Sequence, residues 1–296
     1  MEVGRWKIDQ VMPPQRAAEL DGGPTTIGID IGSRQSKAAL IHRGELFTVL
    51  TASGVDSAET ATRLAARLWR AAGVSSAQVA RIVGTGYGRV VMDFADIPCE
   101  VVTEITCHAL GAHYLSAGTR TIIDIGGQDC KAIKIDPDNG AVLEFVMNDK
   151  CAAGTGRFLE KTAEMLGYTL EELGQRVLES TKKLEMSSQC VVFAESETVS
   201  LKARGERRED IAAGIHLAAA RRVKNLIGRI GLEPELVFSG GVSNNAGMKH
   251  ALEQLLAMPI KSTALDTTYC GALGAAVQAR RLHLQAGAEK LEGATA

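Results

Sequence analysis

No window of this 296-residue chain stays apolar for the roughly 20 residues that a bilayer-crossing helix needs. It also lacks an excess of basic charge: 33 Lys and Arg stand against 35 Asp and Glu, a formal net charge of −2. General attraction to nucleic acid or to an anionic membrane is therefore not expected. The opening residues, MEVGRWKIDQVMPPQ, contain no apolar core of the signal-peptide kind, so a cytoplasmic location is expected. Cysteine is scarce. Six residues (99, 107, 130, 151, 190 and 270) are too few for a disulfide scaffold, and in a reducing compartment they are free thiols or ligands. There is no GxxxxGK[ST] loop, and no GxGxxG directly after a strand. GTGYGR (84–89) is glycine-rich but reads as a loop.

What remains is ordinary globular composition, 45% hydrophobic and 23% charged, in a chain long enough for two cores. Residues 1–24 read as an extension broken by Pro13-Pro14 and Gly22-Gly23-Pro24, with only Trp6, Ile8 and Val11 to bury. An added docking segment or an unstructured leader would each fit that composition. TTIGIDIG, KAALIH and ARIVG read as strands, and 57–72 has helical spacing of its apolar residues. Residues 121–146 read as strands joined by turns at Gly126-Gly127 and Pro137–Gly140. Helices are predicted at 156–166, 169–179 (with a Thr169/Glu172 capping box), 210–230 and 245–256. ELVFSGG is a strand, GALGAAVQARRL a last helix, and 285–296 a flexible tail. This alternation indicates an α/β protein.

One device occurs twice. IGIDIGS (27–33) and IIDIGGQ (122–128) share a strand, an Asp near its end and a glycine turn, which implies a duplicated domain. Glycine lets the backbone amides of such a turn approach a phosphate. Asp30 and Asp124 could hold a hydrated Mg²⁺, an ion that keeps most of its waters and takes one or two carboxylates. Ser33 and Lys37 follow the first turn, Gln128 and Asp129 the second. A third turn, FSGGVSNN, enters a helix and so suits an anion or a nucleotide.

Cys99, Cys107, Cys130 and Cys270 neighbour apolar or small residues and read as packing residues. Cys151 and Cys190 lie in polar runs instead, NDKCAAGTGRFLE and SSQCVVFAESE. The helix opened by Gly154, Thr155 and Gly156 would favour a thiolate or another anion at its start. None of the histidines (42, 108, 113, 216, 250, 283) sits in a motif that would supply a base, and the short-spaced ligand set of a zinc site is missing. An iron–sulfur cluster takes four thiolates. Two per chain is half a set, which a two-fold dimer would complete.

GIDIGSRQSK, DIGGQD and FSGGVS resemble the two phosphate loops and the adenosine loop of the actin-like ATPases. The resemblance implies an α/β fold of duplicated ribonuclease-H-like domains with a nucleotide cleft between them. Residues 25–118, completed by helix 270–284, would form the first domain, and 119–269 the second, which carries the cluster cysteines. Within this superfamily the chain is similar to the ATP-dependent activators of 2-hydroxyacyl-CoA dehydratases and the ATPase subunits of benzoyl-CoA reductases. The motifs GxDxGSxxxK, DIGGQDxK, NDKCAAGTGRFLE, CxVFAESE, SGGVSxN and GALGAA carry that similarity, and NDKCAAGTG and FAESE are specific to the branch. The chain departs from the common core in its N-terminal extension and in Tyr269-Cys270 before the last helix.

The resemblance implies one [4Fe-4S] cluster per dimer, held by Cys151 and Cys190 of each subunit, in a homodimer or a heterodimer with a paralogous subunit. It implies that Asp30 and Asp124 organise Mg²⁺ and that Gln128 orients the attacking water. Gly32, Ser33, Lys37, Gly126 and Gly127 would cradle the phosphates of ATP or ADP, and Gly240 and Gly241 would approach the adenosine. The amides of Ala152 to Gly156 would stabilise the reduced cluster. A ferredoxin or flavodoxin would donate electrons, and an acyl-CoA dehydratase or reductase would accept them. Lifting an electron from about −400 mV to about −700 mV costs roughly 7 kcal/mol, so the transfer needs ATP. A carbohydrate kinase of the same superfold and a non-redox nucleotide-switched scaffold are the alternatives. Neither would carry iron.

Overall fold

A computed structural model describes residues 2–88, 92–94, 96–148, 154–186 and 191–295. The chain forms two compact units. One comprises Met1–Gly118, Pro137–Val142 and Thr263–Ala296; the other comprises Thr119–Asp136 and Leu143–Ser262.

The first unit contains β1 (Val3–Lys7), β2 (Thr25–Ile31), β3 (Gln35–His42), β4 (Glu45–Ala52), β5 (Val79–Gly86) and β6 (Cys99–Val101) in one sheet, ordered β1-β4-β3-β2-β5-β6. β2 is antiparallel to β3 and parallel to β5, and it is buried along its whole length. A strand covered on both faces reads as an unbroken apolar run, as TTIGIDI does. α3 (Ser57–Ala72) starts on Asp56, whose side chain accepts the Glu59 amide, and stops at Gly73 in a left-handed conformation. Its Leu64 and Leu68 join Ile27, Ile29 and Ile31 in one core. The alternate residue Gly28 faces α10 (Cys270–Thr295) instead, which packs with α4 (Glu104–Leu115). These elements meet backbone to backbone. A Cβ on Gly111 would lie 2.0 Å from the Cys270 carbonyl oxygen, and one on Gly274 would lie 1.7 Å from that of Cys107.

The second unit has β7 (Thr121–Ile125), β8 (Cys130–Ile135), β9 (Val142–Met147) and β10 (Leu236–Ser239), in the order β10-β7-β8-β9. β7 is antiparallel to β8 and parallel to β10. That arrangement repeats β5-β2-β3-β4 of the first unit, as the duplicated Asp-Gly pattern implies. Around this sheet lie α5 (Gly156–Leu166), α6 (Leu170–Arg176), α7 (Val191–Ala203), α8 (Arg208–Ile227) and α9 (Ala246–Leu256). The Thr169/Glu172 capping box is formed, with both reciprocal hydrogen bonds present.

Three features differ from the sequence expectations. Residues 2–20 are built into the first unit: β1 pairs with β4 from Val3↔Val49 to Lys7↔Glu45, and α1 (Ile8–Val11) and α2 (Pro14–Leu20) follow. Pro14 takes the first helical turn, where its missing N–H costs nothing. The buried residues here include Met12, Ala17 and Leu20, whereas Trp6 stays 37% exposed. The last helix continues to Thr295 through the stretch expected to fray. Finally, α4 and α7 lack the clear apolar stripe that predicts a helix. α4 is buried almost all round, and α7 carries exposed Phe193 and Val199.

Candidate functional site

The duplicated Asp-Gly segments are two copies of a larger side-chain device. In β2, Asp30 lies directly across from Lys37 on antiparallel β3 and from Thr85 on parallel β5. In β7, Asp124 lies across from Lys131 on β8 and from Ser239 on β10. Each copy thus joins an acid, a lysine at the same sequence spacing and a hydroxyl residue. A glycine with positive φ closes β5 and directly follows β10: Gly86 at φ +83° and Gly240 at φ +87°. A Cβ on Gly86 would lie 2.6 Å from Asp30 Oδ1 and 2.5 Å from the Ile31 oxygen; on Gly240 it would lie 2.6 Å from Asp124 Oδ1 and 2.4 Å from the Ile125 oxygen. Both the φ angle and the closeness of backbone atoms require glycine. Two residues later the chain turns back alike: the Gly88 amide donates to Ile31 O (3.1 Å) and the Val242 amide to Ile125 O (3.2 Å).

GTGYG is therefore the counterpart of SGGV, and reading it as a loop without a partner missed Thr85 and Gly86. A hydroxyl residue and a glycine directly after an apolar strand, found in both ARIVGTG and ELVFSGG, was the available signal.

Asp30 and Asp124 are both buried, at 4% and 2% exposure. Lys37 Nζ lies 3.6 Å from Asp30 Oδ2. Lys131 Nζ donates to Asp124 Oδ2 (3.2 Å) and to Asp129 Oδ2 (2.8 Å), and Ser239 Oγ donates to Asp124 Oδ1 (3.0 Å). Lys131 and Ser239 belong to the DIGGQDxK and SGGVSxN motifs, but only strand register brings them to Asp124. Gly32 and Ser33 sit half-exposed after β2; Ser53 Oγ donates to the Gly32 oxygen at 2.6 Å and pins that turn. Gly126 and Gly127 are half-exposed and Gln128 is exposed, as is Gly241, whereas Gly240 is buried.

The loop after β7 is tied to the start of α5. Gly156 N donates to Gly126 O and Arg157 N to Gly127 O, both at 2.9 Å. This corrects one expectation, since the Gly156 amide already has a carbonyl partner and is not left for an anion. Cys151 and Cys190 lie outside the described residues. Among the other four cysteines, Cys107, Cys130 and Cys270 are buried, and Cys99 is half-buried. Burial pushes the Cys107 thiol up to about 12 and raises that of Cys130 as well. These thiols pack and stay protonated.

After the SGG turn, Asn245 caps α9 by accepting the Met248 amide at 2.8 Å, and its Oδ1 lies 3.2 Å from Nε2 of His216. His216 Nδ1 is 2.8 Å from the Ala212 oxygen. Complete burial drives the His216 pKa down to about 4, against these two contacts, which favour the cation. Between pH 6.5 and about 4 the unfolded chain binds a proton that the folded one refuses, so stability falls with pH across this window. The loss is about 3 kcal/mol in all, and urea titrations at a series of pH values should show a shallower slope for His216→Gln.

The chain is 41% identical over 256 residues to the (R)-2-hydroxyglutaryl-CoA dehydratase activating ATPase of Acidaminococcus fermentans, covering 86% of this chain and 96% of that one. Its structure matches that of the A. fermentans (R)-2-hydroxyglutaryl-CoA dehydratase component A with a TM-score of 0.83 at 39% identity, over 88% of this chain and all of the other. It also matches the activator of the 2-hydroxyisocaproyl-CoA dehydratase from Clostridium difficile with bound ADPNP, with a TM-score of 0.80 at 38% identity, over 90% and 97% of the two chains. The fold is that of the actin-like ATPases and sugar kinases. Residues 27–279 match the model of the BadF/BadG/BcrA/BcrD ATPase family, and with the duplicated acid–lysine–glycine device in place the chain belongs to that family of ATPases.

Proposed function

We propose that this ATPase is a reductive activator. It couples ATP hydrolysis to delivery of low-potential electrons, from a ferredoxin or flavodoxin, to an acyl-CoA dehydratase or a related acyl-CoA reductase. The names of its relatives support the acceptor class. The observation that carries the coupling is the pair of hydrogen bonds from Gly156 and Arg157 to Gly126 and Gly127. A change at the loop that meets phosphate reaches the first turn of α5 directly, and Cys151 lies a few residues before that turn.

In this reading Asp30 and Asp124 organise Mg²⁺ and Gln128 orients water. Gly32, Ser33, Lys37, Gly126 and Gly127 receive the phosphates, and Gly240 and Gly241 the adenosine. The donor set around Asp124 suits a hard cation, because it gathers two buried carboxylates, the oxygen ligands such an ion takes. Cys151 and Cys190 hold a [4Fe-4S] cluster, which supplies a one-electron carrier when bound. The burial of Cys107, Cys130 and Cys270 takes those three out of reach and supports Cys151 and Cys190 as the ligands that the NDKCAAGTG and CxVFAESE motifs supply. Two thiolates per chain call for a second copy or a paralogous subunit. Leu143, Phe145 and Met147, exposed alternately along edge strand β9 and a few residues before Cys151 in the sequence, give a second subunit an apolar surface to cover.

The test is anaerobic iron and acid-labile sulfide analysis of the purified protein. About two of each per chain are expected, and none in Cys151→Ala or Cys190→Ala. About four iron per chain, or a cluster that survives Cys151→Ala, would overturn the shared-cluster reading. A colourless protein that phosphorylates a sugar would point to the kinase alternative.

A further inference from the structure

The two copies of the acid–lysine device are not electrostatically equal. In the first, Lys37 Nζ lies 3.6 Å from one carboxylate, beyond direct hydrogen-bond reach. In the second, Lys131 Nζ lies within hydrogen-bond distance of two, and the side chains of Lys131, Asp124 and Asp129 are only 2, 3 and 10% exposed. Both Asp124 oxygens are engaged: Ser239 donates to Oδ1 and Lys131 to Oδ2. The plane of that carboxylate is therefore defined from two elements, β10 and β8.

A lysine ammonium has three N–H donors and can serve two carboxylates at once. Without it, two buried like charges would repel each other, and neither could keep its place. We infer that Lys131 is a positioning residue of the ATPase: it holds Asp124 and Asp129 together and aims Asp124. Lys37, held more loosely by a single partner, is the lysine left to meet phosphate. The duplicated device has thus divided its work. In the second copy one lysine serves two carboxylates, while in the first it serves one. This deepens the reading in which Asp124 organises Mg²⁺, and it rests on that reading.

Steady-state ATP hydrolysis by the full chain, handled anaerobically, tests the inference through kcat, KM for Mg-ATP and thermal melting. Lys131→Met is expected to lower kcat about 10²-fold, the usual cost of a misplaced catalytic group, while KM changes much less. Adding Asp129→Asn to it removes the repulsion, so the double variant should regain about tenfold in kcat and part of the lost Tm. A purely structural lysine would not produce this recovery of kcat together with an almost unchanged KM. Wild-type kcat in Lys131→Met, or a double variant no better than the single one, would overturn the inference. Should Lys131→Met fail to fold, the double variant decides alone: a folded protein with lowered kcat supports the inference, and wild-type kcat overturns it. Asp124→Asn separates the two readings. If that variant hydrolyses ATP normally, the assignment of Asp124 itself falls. If it is dead while Lys131→Met is fully active, only the role of Lys131 falls.

Discussion

Gly274→Ala should destabilise the chain by more than about 4 kcal/mol, an exceptional loss for adding one methyl group. The new Cβ would sit 1.7 Å from the Cys107 carbonyl oxygen, 2.7 Å from its carbon and 2.8 Å from the Gly111 amide nitrogen. All three are backbone atoms of α4, so no side chain can swing aside. α4 and α10 would have to separate, and Gly111 against the Cys270 oxygen would lose its contact in the same movement. The built-in control is Gly287→Ala on the same helix, where nothing lies within 4 Å. There the ordinary preference of helices for alanine rules, and a gain of up to about 1 kcal/mol is expected. Guanidinium denaturation of both variants checks the pair, with unequal m-values flagging any loss of cooperativity.

Asp124→Asn should reduce ATP hydrolysis about 10³-fold, comparable to removing a principal stabiliser of transition-state charge, and should leave the fold standing. The amide is isosteric, and its oxygen can still accept from Ser239. Its NH₂ would then face the Lys131 ammonium, donor against donor, where Oδ2 now accepts at 3.2 Å. Lys131 keeps Asp129 at 2.8 Å, so no buried charge is stranded, and the melting temperature should fall only slightly. Phosphate release at saturating Mg-ATP reads the first effect and thermal melting reads the second. Wild-type turnover would remove Asp124 from the site, and an unfolded variant would make it a structural residue.

Much of this architecture was visible before any coordinates. The repeat of IGIDIGS and IIDIGGQ foretold two related sheets, because a buried strand ending in Asp-x-Gly is a local pattern. The helices at 156–166 and 245–256 followed from local periodicity. The Thr169 cap did too, since such bonds join residues a few positions apart. The burial of Cys107, Cys130 and Cys270 was also foreseeable from their apolar neighbours. What stayed hidden was set by register and by packing. Lys131 closes the DIGGQDxK motif, but which acids it meets is hidden until β8 lines up against β7. GTGYG looks like a loop until β5 is seen beside β2, as β10 lies beside β7. Residues 2–20 look too polar to fold until the edge of β4 offers them hydrogen bonds and a core for Leu20.

The sequence by itself indicated the alternation of strands and helices in the core of the chain, the doubled acid-and-glycine turns and the two cysteines set apart from the rest, all of which rest on residues near one another in the chain. Only the tertiary structure decided which lysine balances which acid and which glycines cannot gain a methyl group. It also decided which amides at the start of α5 already have a carbonyl partner. Those are contacts between residues far apart in sequence or across a sheet, and their energies exist only once the strands have taken their register and the helices have closed against them.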